Sequence, residues 1–249
     1  MGRLDGKTIV VTGAGRGLGR QLIRRFVEEG GQVIAAARNA ARLIQAVEPL
    51  GGRAIAVAAD VGEPDDVARL FAEADKRFGK LDALINNAAI YDFFRIADAE
   101  PARIRTTVHA NLLGPMLCTR AAIPLLRKAG GGDIINVSSE SVRNPYAYLS
   151  AYAATKAGLE NFSQGMRTEL RPDNIRVTAL RLGVMDDPDR DATGMDLETQ
   201  IGFAKANQAA LAASGTSKMS FDSVAHAIMD MLTMPADIAY DMVELRPCL

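Results

Sequence analysis

Six short apolar runs, at residues 7–12, 32–37, 53–59, 81–86, 133–138 and 176–180, alternate with longer stretches of helical periodicity. Within each run the apolar residues follow one another without the polar alternation of a half-solvated strand, as strands covered on both faces require. The intervening stretches are long enough for crossover helices, which join parallel neighbours. The rhythm predicts an α/β fold: a doubly wound parallel sheet with helices on both faces. At 249 residues, one domain spanning 1–249 is the expected organisation.

The helices carry their own punctuation. Pro64 suits the first turn of one helix and Gly79 closes it. Pro115 and Pro124 fall inside the long apolar stretch 102–128, where each removes a backbone donor, so a bend or break is expected there. A helix over 150–170 and a last one near 222–234 complete the pattern. Between 183 and 220 the rhythm fails. That segment begins beyond the carboxyl end of the sixth strand, where ligands of such sheets bind, and is expected to be a substrate lid.

The first strand runs into Thr12-Gly13-Ala14-Gly15-Arg16-Gly17-Leu18-Gly19, followed by a helix pattern through Leu22, Ile23, Phe26 and Val27. The spacing is GxxxGxG and not GxGxxG. Glycines here allow a tight turn, let the backbone approach a pyrophosphate, and let the helix pack on the strand, while the helix start supplies free N–H groups. A turn so placed points to a dinucleotide and to a Rossmann-type architecture.

Tyr152 and Lys156 stand i and i+4 in the helix-like run 150–170, on one face at neighbouring turns. For a phenol of pKa about 10 to work near neutrality, a shift of about 3 units, or about 4 kcal/mol, is needed. A cation about 5 Å away supplies about 3 kcal/mol at an effective dielectric of about 20, and an oxidised nicotinamide adds to it. Ser138 and Ser139 follow the apolar strand Ile134-Ile135-Asn136-Val137, at the end of the sheet where a ligand is expected. Adjacent strand-end residues point in different directions, so one of the two faces the site.

Together, the Gly13, Gly17, Gly19 turn, Asp60-Val61, Asn86-Asn87-Ala88-Ala89, Asn111, Ser139, and Tyr152 with Lys156 resemble the short-chain dehydrogenase/reductase family, in its compact single-domain branch. The resemblance covers nearly the whole chain. It implies that Tyr152 is the general acid/base, that Ser139 and not Ser138 polarises the substrate oxygen, that Lys156 also holds the nicotinamide ribose, and that Asn111 holds a relay water. It further implies a cofactor site made of Gly13, Gly15, Arg16, Gly17, Leu18, Gly19, Arg38, Asp60, Val61, Asn87, Ala88, Ala89, Tyr152, Lys156, Gly183 and Val184. In that site Asp60 meets the adenine amino group, Asn87 and Ala88 lie near the adenosine ribose, and Val184 meets the carboxamide through its backbone. Three positions depart from the family's habit: Ala89 stands for Gly, Leu182 for Pro, and Asp187 for a frequent Thr.

The second strand ends Ala35-Ala36-Ala37-Arg38-Asn39, with no acid to take a ribose 2′-hydroxyl and with a planar cation that suits a 2′-phosphate. Arg16 can approach the same phosphate. NADP(H) is therefore expected in preference to NAD(H). The expected activity is hydride transfer between nicotinamide and a ketone, aldehyde or secondary alcohol of moderate size. The competing reading is a dinucleotide-sensing regulatory or scaffold protein that kept the fold and lost the chemistry.

Other classes fit poorly. A net charge of -1 without a basic stripe argues against nucleic acid. His109 and His226 are far apart without acidic partners at ligand spacing, and Cys118 and Cys248 show no CxxC spacing, so neither a metal site nor a disulfide is expected. No apolar run reaches the roughly 20 residues of a membrane span, and the MGRLDGK start runs straight into a strand, so a cytoplasmic location is expected. Met185, Met195 and Met219 fit either an adaptable apolar pocket or ordinary core filling. The family resemblance implies a homo-oligomer, a tetramer or dimer, for which an apolar helix face of Ala153, Ala157 and Met166 is the expected contact.

Overall fold

In a computed structural model, which describes residues 2–188, 196–213 and 216–248, the strand rhythm becomes a parallel sheet. Its strands are β1 (Thr8–Thr12), β2 (Gln32–Ala37), β3 (Ala54–Ala58), β4 (Ala83–Asn86), β5 (Gly132–Ser139), β6 (Ile175–Leu182) and β7 (Met242–Leu245), in the order β3-β2-β1-β4-β5-β6-β7. Successive residues of each central strand feed opposite layers. Ile9, Val11, Val33 and Val137 join one core with the helices α1 (Gly17–Glu28), α2 (Ala40–Val47) and α9 (Phe221–Leu232). Val10, Ile34, Ile134 and Val177 join the other with α3 (Pro64–Phe78), α5 (Gly114–Lys128) and α6 (Ser150–Leu170). The strand order reverses between β1 and β4, the switch point outside whose carboxyl ends such sheets bind ligands.

Pro64 and Gly79 act as expected, the first in the opening turn of α3 and the second as its left-handed cap, φ 70°. The prolines of the long apolar stretch divide their effects. After α4 (Pro101–Val108) the chain makes one π turn, His109–Leu113, before α5, and Pro115 lies in the first turn of α5, where its missing N–H costs little. Pro124 does not break α5. It sits on the solvent face with Arg120, so the carbonyl of Arg120 that loses its bond faces water.

The segment after β6 is more regular than its sequence implies, with helices α7 (Leu197–Ala206) and α8 (Gln208–Ala213). Met185 and Met219 form an isolated bridge and pack against the α1/α9 core, which is the core-filling reading, while Met195 lies outside the described residues. The expected oligomer face does not form: Ala153 and Met166 are buried in their own chain and Ala157 alone is exposed. The 13 positions from Ala153 to Met166 rotate the helix by about 220°, so those residues point away from each other. His109 and His226 lie beside Glu63 and Asp230 at 3.9 and 3.8 Å. Among the described residues no helix is long and apolar enough to cross a membrane.

Candidate active site

The carboxyl ends of β1 to β6 bring nearly all the predicted residues to one edge of the sheet. The turn after β1 is shaped by close packing. Gly13 (φ 69°) has no room for a side chain, since a Cβ would stand 2.8 Å from Ala88 Cα, and a Cβ on Gly19 would collide with the Gly13 carbonyl. Thr12 closes the turn from below: its Oγ1 accepts from the Asn87 and Ala88 amides, each at 3.0 Å, and Asn87 Nδ2 donates to the Thr12 carbonyl at 2.9 Å. Gly15 is different. A Cβ there would meet only ordinary contacts, 3.5 Å from Ala37 Cβ and 3.8 Å from Arg42 Cβ, so no protein group requires its glycine. Leu18 is buried in the core beneath the turn.

Beyond Arg16, α1 starts with no side-chain cap and no acid in its first turn, so its leading N–H groups and the positive end of its dipole are left for an anion. Arg16, Arg38 and Arg42 are exposed at this end of the sheet. Arg38 Nη1 lies 3.9 Å from Asp60 Oδ2, and Asp60 Oδ1 takes the Gly62 amide at 3.0 Å. Arg42 belongs to no motif in the sequence; its place one helical turn beyond Arg38, on a helix capped by Asn39, is the available signal. Val61 is buried against Gly114, where a Cβ would stand 2.7 Å from Val61 Cγ2, and Ala89 is exposed beyond β4. These residues fit a dinucleotide: a backbone cradle on a helix start, with cations and no acid at the end of β2 beside it.

The second half of the site is built on β5, α6 and the π turn. Ser138 Oγ donates to Glu160 at 2.7 Å, inside a buried network with Arg181, which removes it from the crevice. Ser139 faces the other way, toward Tyr152, and its Oγ accepts from the Ser141 amide at 3.2 Å. Lys156 Nζ lies 5.7 Å from the centroid of the Tyr152 ring and donates to the Val137 carbonyl at 2.7 Å. Asn111, in the π turn, accepts from the Ile90 amide at 2.7 Å and donates to the Ile90 carbonyl at 2.9 Å and to Thr155 Oγ1 at 3.3 Å. Its amide thus ties the loop after β4 to the helix that carries Tyr152. Such π turns often mark functional sites because the extra residue redirects a side chain.

Electrostatics in this half differ from what the sequence suggests. Burial pushes the Tyr152 phenol upward, neighbouring Tyr91 adds to the rise, and the Ser139 hydroxyl facing it opposes it. Burial pushes Lys156 down to about 8. Burial is the largest cause for both groups, so desolvation decides the direction of each shift.

Aromatic residues wall the space over Tyr152. Tyr91 meets its ring edge-on at 4.9 Å, Phe93 meets Tyr91 at 4.6 Å, and Phe203 from α7 meets Phe93 at 5.0 Å. Tyr148, at φ 70°, accommodates Gly202 of α7 against its hydroxyl, and Asn207 clamps Ala147 by accepting from its amide at 2.8 Å. The segment that carries α7 therefore docks on the loop that leads into α6. The remaining predicted residues sit beneath it: Gly183 donates to the Leu245 carbonyl at 2.9 Å, and the Val184 carbonyl accepts from Met219 at 3.0 Å. Leu182, where the family habit is Pro, is the last residue of β6 and lies in register with both Ser139 and Leu245.

Residues 7–196 match the family model for short chain dehydrogenases. The chain belongs to this family. It is 33% identical over 236 residues to the ketoacyl reductase HetN of Nostoc sp., an alignment covering 94% of this chain and 79% of the relative. Among solved structures, it resembles L-sorbose reductase from Gluconobacter frateurii, complexed with NADPH and L-sorbose, at TM-score 0.87 and 27% identity over 98% of this chain and 96% of that one. It also resembles the 3-ketoacyl-(acyl-carrier-protein) reductase of Brucella melitensis, complexed with NADH, at TM-score 0.82 and 26% identity over 97% of both chains. The short-chain dehydrogenase described here is an NAD(P)-dependent oxidoreductase.

Proposed function

We propose that this enzyme moves a hydride between NADP(H), used in preference to NAD(H), and a ketone, aldehyde or secondary alcohol of moderate size. The observation that carries this reading is the convergence of Ser139 and Tyr152, with the Nζ of buried Lys156 5.7 Å from the centroid of the same ring. The nicotinamide supplies or takes up the hydride. Tyr152 gives its phenolic proton to the oxygen of the carbonyl being reduced, or takes it back from the alcohol being oxidised. Ser139 holds that oxygen by a hydrogen bond, and Lys156 favours the phenolate electrostatically. Asn111 acts as a positioning residue, fixing Ile90 against Thr155.

Support for the cofactor site comes from the uncapped start of α1, the glycine turn and the adjacent arginines. Gly13, Gly15, Gly17, Gly19 and Arg16 would cradle the phosphates, with Leu18 presenting its backbone. Arg38 would meet the 2′-phosphate; Asp60 and Val61 the adenine; Asn87, Ala88 and Ala89 the adenosine ribose; Lys156 and Tyr152 the nicotinamide ribose; and Gly183 and Val184 the carboxamide. We further infer one domain over 1–249, working in the cytoplasm as a homo-oligomer, tetramer or dimer. The aromatic wall supports an apolar body on the substrate. The test is consumption of NADPH by the purified protein across a panel of ketones and aldehydes. Tight NADPH binding with no turnover across that panel would refute the reading.

A further inference from the structure

The acid that follows Ser139 has no part in the reaction just described. Glu140 opens the short turn Glu140–Val142, and its Oε2 lies 3.2 Å from where a Cβ on Gly183 would stand. The Tyr146 phenol is raised by burial and further by the Glu140 charge. The Tyr146 ring is 6.1 Å from Phe203, which meets Phe93 at 5.0 Å, and Phe93 packs with Tyr152 in one cluster. Glu140 thus lies at the carboxyl end of β6, next to Ser139 in the chain, and its charge is felt by a member of the aromatic group that joins Phe203 and Phe93.

The nearby cations are committed elsewhere. Arg143, Arg181 and Arg246 all pair with Glu244, at 2.9, 3.2 and 3.5 Å, and Arg181 is also held by Glu160 at 2.6 Å. Among the described residues Glu140 has neither an ion pair within 4 Å nor a hydrogen bond to its carboxyl. Burial pushes that carboxyl up, Arg246 opposes the rise and Glu244 adds to it. A half-buried carboxyl without a donor is unfavourable, and a donor brought by a ligand removes the cost.

We propose that Glu140 is a specificity-determining residue that accepts a hydrogen bond from a second polar group of the substrate, a hydroxyl or an ammonium carried in addition to the reacting carbonyl or carbinol. The inference rests on Ser139 and Tyr152 being the reacting pair. It makes the substrate a hydroxy- or amino-substituted ketone, or the corresponding diol or amino alcohol in the oxidising direction. The aromatic cluster of Tyr146, Phe203 and Phe93 suits either group, since aromatic faces attract ammonium and also pack the carbon skeleton that carries a hydroxyl.

The experiment measures kcat and KM for three ketones of matched skeleton, one unsubstituted, one with an added hydroxyl and one with an added amine, using the wild type, Glu140→Gln and Glu140→Leu. The wild type is expected to favour one substituted ketone over the unsubstituted one by tenfold or more in kcat/KM. Glu140→Leu should collapse that ratio, chiefly through KM. Glu140→Gln, which still accepts through its amide oxygen, should keep part of a hydroxyl preference and lose an ammonium preference. NADPH titration and thermal melting verify that each variant is folded, and should the Leu variant fail them the Gln variant decides. Wild-type turnover without preference, or a preference that survives both substitutions, overturns the Glu140 inference alone. No wild-type turnover of any of the three overturns it together with the reaction on which it rests.

Discussion

Lys156 donates from Nζ to the main-chain carbonyl of Val137 at 2.7 Å, joining α6 to β5 just below Ser139. The same burial that makes this bond strong pushes the ammonium down to about 8, against 10.5 for an ordinary lysine. Between those values the unfolded chain binds a proton that the folded chain has released, so stability attributable to Lys156 rises with pH across that window. Below pH 8 a charged ammonium must be kept buried, at about 3 kcal/mol. Compared with Lys156→Met, which does not titrate, the wild type should gain relative stability from pH 8 to 10.5 in urea unfolding of the cofactor-free protein. A difference that stays flat or falls with pH would contradict the burial.

Tyr152→Phe removes the transferable proton and leaves the ring in its aromatic contacts. Turnover should fall by about 100-fold or more, the usual contribution of a positioned acid or base. The affinity for NADPH, measured by fluorescence titration, should change little. Wild-type kcat in the Phe variant would end the proposed proton transfer.

One substitution should move the pH profile in a defined direction. Burial raises the Tyr152 pKa most, and the Ser139 hydroxyl facing it opposes the rise. In alcohol oxidation the base must be deprotonated, so kcat/KM climbs as pH passes its pKa. Ser139→Ala should shift that ascending limb to higher pH. A shift to lower pH, or none, would mean that Tyr152 is not the titrating group.

Much of this arrangement is legible in the residues alone, because backbone chemistry writes itself into residue choice. The buried strands demand unbroken apolar runs, and the helix Ser150–Leu170 emerges with the expected bounds. Features without a local signal are those decided by tertiary packing. Strand β7 is four partly exposed residues that gain their partners from β6, too short for a periodic signal. The π turn at Asn111 depends on Gly62 and Gly114 fitting against His109 and Val61, contacts remote in sequence. Arg42 and Tyr91 join the site through the turn of a helix and the course of a loop. Glu140, by contrast, stands beside Ser139 in the sequence, but its lack of a partner follows from three arginines converging on Glu244.

The glycines of the first turn should separate into two kinds. Gly19→Ala forces a Cβ into the Gly13 carbonyl and should destabilise the fold by about 1–3 kcal/mol or more, the range of core overpacking. Gly15→Ala meets only ordinary contacts in the protein and should melt like the wild type. If the cofactor's phosphates approach the backbone there, that alanine should still weaken NADPH binding. Unchanged NADPH affinity in Gly15→Ala would remove Gly15 from the cofactor site.

The preference between the two nicotinamide cofactors turns on the end of β2. Ala37 offers no carboxylate, and a Cβ on Gly15 would stand 3.5 Å from Ala37 Cβ, so the cradle and this strand end adjoin. Arg38 is exposed and only 3.9 Å from Asp60, a loose pair that a 2′-phosphate can displace, because exposed ion pairs are weak and phosphate accepts bidentate contacts. Charge-assisted bonds of about 1.5–3 kcal/mol each correspond to at least tenfold discrimination in favour of NADPH. Ala37→Asp with Arg38→Leu places repulsion where there was attraction and supplies an acceptor for a free ribose hydroxyl. The double variant should therefore reverse the preference in kcat/KM while leaving kcat with its better cofactor close to that of the wild type. Arg42 should contribute to the same phosphate, so Arg42→Ala is expected to weaken NADPH more than NADH, and the loss should shrink as salt screens the exposed charges. Equal or better use of NADH by the wild type would refute the assignment.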